Sequence, residues 1–268
     1  MEEFQYKSYL TTLSTDEHYV RGSFRHGDIL SLPNNFFIGE RIISNVAFPN
    51  RSINLTGFNS FRGDILYMKN LKEYSIKFYK MLRRIKRSEG PVFVYSNFKE
   101  FGGIKSFVKV LRKHGYKNYK NSGAGEKRYA IWSGDERHEM KEEIKRVFNQ
   151  KSNQYGGEIE ILLGSPSIKE GVSLLRVEQV HIMEPYWNMA RMDQVIGRAI
   201  RFCSHKDVPL RRQNVTVYLY LATSPKKEET VTNDISSNTV AELKAMAKEK
   251  GITGYTSMKK AELIAALS

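Results

Sequence analysis

Between residues 71 and 222 the apolar positions switch repeatedly between a period near 3.6 and a period near 2. LKEYSIKFYKMLRRIKRSEG places Leu71, Tyr74, Phe78, Met81, Leu82 and Ile85 at helical spacing, with Lys80, Arg83, Arg84, Lys86 and Arg87 at other positions. Gly90 and Pro91 stop this helix. PVFVYSN (91–97) is a β-branched and aromatic run, which predicts a strand. FGG (101–103) makes a turn, and IKSFVKVLRKHGY reads as an amphipathic helix ending at Gly115. YAIW (129–132) is a strand followed by a helix over DERHEMKEEIKRVFNQ. EIEILLGSP (158–166), VEQVHIMEP (177–185) and NVTVYLYLA (214–222) are further strands, with a helix over MARMDQVIGRAIRF between the last two.

Strands alternating with helices at these intervals predict βαβ units, a parallel sheet and an α/β fold. The domain spans 71–222. Residues 1–70 carry turn signals and read as an irregular lead-in with short elements. One is ERIISNVAF, whose Ile43, Val46 and Ala47 fit one helical face. A polar stretch over 223–237 reads as a linker, and 238–268 as a small two-helix domain.

Charge narrows the function. Lys and Arg number 43 against 29 Asp and Glu, a formal net charge of +14. That excess favours a polyanionic partner, nucleic acid before an acidic membrane surface. Cys203 is the single cysteine, which rules out an internal disulfide and a Cys-based zinc site. It reads as a buried apolar residue in a protein of a reducing compartment. The N-terminal MEEFQYKSYL lacks a signal-peptide pattern, and no apolar run approaches a membrane span. His18, His26, His114, His138, His181 and His205 show no metal-ligand spacing, so no metal site is expected. Trp187 reads as a packing residue.

QVIGRAIRFCSH (194–205) raises a chemical question. On a helix, Gln194, Arg198 and Arg201 fall at i, i+4 and i+7 and share a face. Gly197 costs about 1 kcal/mol in a helix interior, which suggests close approach of another surface. Two guanidiniums and an amide suit a phosphate group better than a single carboxylate. The alternative is a solvated or salt-bridged helix face.

The string matches Q-x-x-G-R-x-x-R and so resembles the last signature motif of superfamily 2 helicases and translocases. LLGSPSIKEGVSL (162–174) resembles their motif V, PVFVYSNF their motif IV, and YAIWSGDE the strand and turn between them. EGVSLLRVEQVHIMEPYWNMARMDQVIGRAIRFCSH is similar to the poxvirus-type nucleoside triphosphate phosphohydrolase I and early transcription factor small subunit of large DNA viruses. The resemblance covers about residues 35–222. It implies a RecA-like helicase C-terminal domain, ATP with Mg²⁺ as cofactor, DNA (or RNA) as partner, and a place of action in the virion or host cytoplasm. By position it implies Arg201 as an arginine finger, Arg198 as its companion and Gln194 as an orienting residue. It further implies that Gly171, Glu170 and Ser173 face the nucleotide, while Ser165 and Ser167 touch nucleic acid. Ser173 stands where many helicases carry Asp or Asn, which leaves its nucleotide role open.

A complete motor also needs a G-x-x-x-x-G-K-[ST] loop and an acidic Mg²⁺ site. GAGEK (123–127) departs from that loop in its Gly–Lys spacing and has Arg128 at the Ser/Thr position. DERH (135–138) follows Ser133 and Gly134 instead of ending a strand, so Asp135 and Glu136 read as acids in a helix's first turn. The 268 residues therefore read as the second half of a motor that needs a Walker-bearing domain for hydrolysis: either a separate polypeptide supplies that domain, or the chain is a fragment or a degenerate copy, with viral RNA polymerase as a further partner. The alternative is a non-catalytic nucleic-acid-binding adaptor that keeps the fold.

In the C-terminal stretch, Thr239-x-x-Glu242 forms a capping box. Val240, Leu243 and Ala247 give the first helix an apolar face, and Tyr255, Leu263, Ile264 and Leu267 complete a small core. TVAELKAMAKEKGITGYTSMKKAELI resembles the SAP and Rho N-terminal families, which bind nucleic acid through a helix–extended–helix fold. Lys259 and Lys260, with Lys244 and Lys248, are the candidate phosphate contacts; a protein-docking unit is the alternative.

Overall fold

The computed structural model describes residues 1–12, 38–169, 172–186, 188–225 and 239–267. They fall into two compact units, 1–225 and 226–268. In the first unit the strands are Val92–Tyr95 (β1), Lys117–Asn118 (β2), Arg128–Trp132 (β3), Ile161–Gly164 (β4), Gln179–Ile182 (β5) and Thr216–Leu219 (β6). They form one sheet in the order β2-β3-β4-β1-β5-β6, and each adjacent pair is parallel. Val92 lies opposite Ile161 on one side and Gln179 on the other. Flanking it are helices at 3–12 (α1), Ile38–Asn45 (α2), Leu55–Ser60 (α3), Met68–Tyr74 (α4), Ile76–Ile85 (α5), Ile104–Lys113 (α6), Tyr119–Ser122 (α7), His138–Asn149 (α8) and Met189–Ile196 (α9).

Strand alternation sorts the core into two layers. Val92, Val94, Ile161 and Leu163 pack with Phe78, Met81, Leu82 and Ile85 of α5 and with Phe107 and Leu111 of α6. Phe93, Tyr95, Leu162, Val180 and Ile182 pack with Ile144 and Phe148 of α8 and with Met192 and Val195 of α9. Strands buried on both faces read as unbroken apolar runs, which is why β1 and β4 stand out in the sequence. Each large apolar side chain buried this way contributes about 1.5–3 kcal/mol.

Several boundaries differ from the sequence expectation. The helix expected from Leu71 is broken at Ser75, whose backbone is extended. The Ser75 hydroxyl accepts from the Phe78 N–H at 3.0 Å and donates to the Asn45 carbonyl at 2.5 Å. Ser75 is thus an N-cap, and α4 and α5 turn about it. The expected irregular lead-in contains α1 to α3 and the first residues of α4, and its Val46, Phe48, Phe61 and Leu66 sit in the α5 core layer. The expected helical face of Ile43, Val46 and Ala47 is shorter, since α2 stops at Asn45, although all three residues are buried. Asp135 and Glu136 precede α8 and pair instead with Lys99 and Lys120. Cys203 is exposed, not buried, at a left-handed φ of 59°. The short β2 and α7 were not foreseen, because their residues are largely polar. Glycine is required at Gly103, where a Cβ would sit 1.7 Å from the Phe98 carbonyl oxygen. His18, His26 and Trp187 lie outside the described residues, as does most of the expected linker.

The second unit pairs Val240–Glu249 (α10) with Lys260–Leu267 (α11). Its capping box is formed: Thr239 accepts from the Glu242 N–H, and Glu242 accepts from the Thr239 N–H. Leu243, Ala247, Leu263 and Leu267 are its buried core, with Tyr255 and Ile264 packed against them. Val240, expected on the apolar face, is 41% exposed.

His181 is buried in the middle of β5, hydrogen bonded to the Tyr220 hydroxyl at 2.8 Å and the Gln179 side chain at 3.0 Å. Burial, with the nearby Arg84 charge, pushes its imidazole down to about 3. The unfolded chain therefore takes up this proton near pH 6.5 and the folded chain does not. Stability from this group is full above pH 6.5 and is lost as pH falls toward 3, by about 2 kcal/mol at pH 5. Urea unfolding of the wild type and His181→Gln at pH 7 and pH 5 checks this; the variant should lose less between the two, and equal losses would contradict it.

Candidate functional site

The site grows from two segments that follow strands. After β4 the chain turns at Gly164, where a Cβ would lie 2.7 Å from the Phe93 ring. Ser165 is buried; its N–H donates to the Trp132 carbonyl at 3.0 Å, and its hydroxyl lies 3.1 Å from that of Ser167. Buried Ile168 anchors this turn. Glu170 and Gly171 lie outside the described residues. Beyond them, buried Val172 and Leu174 bracket Ser173.

After β5, α9 opens at the N-cap Asn188, which accepts from the Ala190 N–H. Met192, Val195 and Ala199 bury one side of this segment. The helix ends at Ile196, shorter than expected, so Gln194, Arg198 and Arg201 do not share one continuous helix. Gly197 is its C-cap, and a Cβ there would meet the Asp193 carbonyl oxygen at 2.9 Å. The close approach anticipated at this glycine is thus to its own helix. The chain continues in tight turns, with the Arg198 N–H on the Val195 carbonyl and the Ile200 N–H on that of Ile196.

These turns join the two segments. The Leu174 N–H donates to the Arg198 carbonyl at 2.8 Å. The exposed Arg201 guanidinium donates to the Ser173 hydroxyl at 2.5 Å and to the Gly197 carbonyl at 3.2 Å. Among the described residues no carboxylate lies within ion-pair distance of Arg201. Gln194 is exposed in the last turn of α9, and Arg198 is half-buried. An oriented, exposed guanidinium without a counter-carboxylate is suited to phosphate oxygens. The residues present therefore fit the triphosphate end of a nucleotide. Lys259 and Lys260 are exposed on the second unit, where the Lys259 N–H caps α11 through Glu262 at 2.7 Å. The Lys244 ammonium is engaged by the Thr256 carbonyl at 2.5 Å.

Three supporting residues escaped the sequence reading. Asn149 donates to the Ser173 carbonyl and accepts from the Leu175 N–H, both at 2.8 Å. Arg176, at φ 60°, forks onto Asp207 with two contacts of 3.0 Å from Nε. Its N–H reaches the Ser204 carbonyl at 3.0 Å, so the loop after Arg201 is tied to the segment that carries Ser173. Arg176 holds the Asp207 carboxyl below the usual carboxylate range. No local pattern marks these three, since they act across 24 to 31 residues of chain.

Residues 75–203 match the helicase conserved C-terminal domain family, and 234–268 match the N-terminal domain of the Rho termination factor. A protein of Acanthamoeba polyphaga mimivirus named as an ATP-dependent RNA helicase is 59% identical over 195 residues, covering 73% of this chain and 34% of that protein. A termination factor NPH-I homolog of African swine fever virus is 31% identical over 182 residues, covering 55% of this chain and 26% of that one. The chain thus spans about a third or less of these relatives' length. Among solved structures, the C-terminal part of the Fun30 ATPase domain is similar at 15% identity and a TM-score of 0.47, covering 80% of this chain and 79% of that one.

Removing the Asp207 carboxylate leaves Arg176 nearly buried without its counter-charge. Asp207 itself is partly exposed, so the cost falls below that of a fully buried pair. Asp207→Ala is expected to lose about 2 kcal/mol. The urea midpoint should fall at unchanged slope; an unmoved midpoint would contradict the role given to this pair.

Proposed function

We propose, from the match of residues 75–203 to the helicase conserved C-terminal domain family, that Ser173, Arg198 and Arg201 complete a nucleotide site shared with another domain. That other domain carries the phosphate-cradling loop and the Mg²⁺ site. One observation supports this above the rest: Arg201 is exposed, oriented by Ser173 and Gly197, and without a carboxylate partner among the described residues. Bound ATP supplies the γ-phosphoryl group. Arg201 would leave Ser173 and donate to that group as charge spreads over its oxygens. Arg198 adds a second cation and Gln194 orients the site. Glu170 and Gly171 contribute to the nucleotide side by resemblance.

Just past β4, the half-buried Ser167, with its hydroxyl beside that of the buried Ser165, forms with it the proposed backbone contact of this unit. Lys259 and Lys260 are the proposed phosphate contacts of the second unit, supported by its likeness to the Rho N-terminal domain. The proposed activity is that of the C-terminal half of an ATP-driven DNA translocase serving transcription in a large DNA virus. The termination-factor name of the African swine fever virus relative supports the transcription role, the helicase name of the mimivirus relative supports an ATP-driven motor, and the net charge of +14 supports a nucleic-acid partner.

The test is DNA-stimulated ATP hydrolysis by this chain alone and by the chain fused to the part of the mimivirus relative that lies outside the matched 195 residues. The chain alone should be inactive and the fusion active, with Arg201→Ala lowering turnover by about 10³-fold or more. Robust turnover by the chain alone, or an indifferent Arg201→Ala fusion, would overturn the proposal.

A further inference from the structure

On the sheet face opposite Arg201, α5 carries Lys80, Arg83 and Arg84, and Arg87 follows in the turn just past its end. These positions form one stripe about 10 Å long. The opposite stripe of α5, Phe78, Met81, Leu82 and Ile85, is fully buried, so the core fixes how the cations point. The stripe, together with Tyr79 and Tyr218, lines a groove of about 520 Å³. Gln179 and Thr216, the first residues of β5 and β6, place the groove at the N-terminal ends of those strands. The layer that holds Arg201's neighbours Leu174 and Ala199 lies on the other side of the sheet.

None of the four cations enters an ion pair among the described residues. Arg84 lies over the Tyr218 ring at 4.3 Å and the Tyr220 ring at 5.4 Å. That stacking orders one guanidinium in advance, so less freedom is lost when a ligand docks. Among the described residues, Glu178 is the single acid lining the groove. Around the cations stand neutral hydroxyl donors: Tyr79, Tyr218 and Thr216. Arginines with tyrosine and threonine hydroxyls are a donor set that positions phosphodiester oxygens. Planar guanidiniums in a row, with little opposing acid, suit a chain of regularly spaced phosphates.

We propose that this groove binds a nucleic-acid phosphodiester backbone, as a second contact separate from the Arg201 site. The inference rests on the reading of this protein as a nucleic-acid-dependent motor. A strand held here would leave the nucleotide-facing residues free, because the sheet separates the two.

The test is fluorescence anisotropy of the full chain with labelled DNA and RNA oligonucleotides of one sequence, across a salt series. Lys259→Ala/Lys260→Ala serves as the background, so that this groove is read apart from the second unit. Adding Arg83→Ala/Arg87→Ala should reduce the salt slope by about 2 and weaken binding by about tenfold at 0.1 M salt. Lys80→Ala/Arg87→Ala should do the same, which guards against a fault peculiar to one variant. The DNA and RNA arms show which backbone is preferred. An unchanged slope in a chain that still binds would overturn this inference alone. A wild-type chain that binds no nucleic acid would overturn it and the nucleic-acid reading together. Polyglutamate competing better than either oligonucleotide, with the same sensitivity to the arginines, would assign the groove to an acidic peptide and overturn the proposal.

Discussion

The structure depends on β1 being hydrogen bonded on both sides and buried on both faces. A strand in that position must be covered by helices above and below. The covering fixes α5 on one face and α9 on the other. Each buried helix then has only one stripe left for solvent. On α5 that stripe is cationic. On α9 the buried Met192 and Val195 are followed by a cap at Gly197 and turns that project Arg201 outward over Ser173. Both proposed surfaces are thus consequences of how the sheet is sealed.

A buried carboxylate ties the remaining parts to this frame. Glu184, just past β5, accepts from the Asn45 side chain at 2.9 Å, the Ser96 hydroxyl at 2.8 Å and the N–H groups of Asn97 and Phe98. Burial pushes its carboxyl up, and Lys77 acts against that shift. The Lys77 ammonium donates to Asn45 at 2.9 Å and to the Met183 carbonyl at 3.1 Å, and burial pushes it down to about 8. A charge taken this far from water is tolerated only when its hydrogen bonds are filled. The network therefore holds the end of α2, α5, the loop after β1 and the end of β5 in one arrangement.

The sequence was most legible where burial is periodic. Strands β1, β3, β4 and β5 and helices α6 and α8 each carry a strong apolar signal. The break at Ser75 was hidden because its flanking apolar positions keep helical spacing while the serine caps against the distant Asn45 carbonyl. Cys203 is exposed because it sits in a left-handed turn, which the general preference of cysteine for burial does not reveal. The string around Arg201 was readable as chemistry, but its true shape, a short helix with a capped end, depends on Gly197. Asn149, Arg176, Asp207 and Glu184 were invisible, since their partners are set by topology and not by spacing.

The central claim is that Arg201 is held ready for a phosphate that another domain presents. The most direct measurement is a structure of this chain joined to a phosphate-loop domain, with a mimic of the transferring γ-phosphoryl group bound. The account predicts the Arg201 guanidinium within hydrogen-bond distance of that mimic, released from Ser173. An Arg201 still on the Ser173 hydroxyl, with the mimic out of its reach, would contradict it.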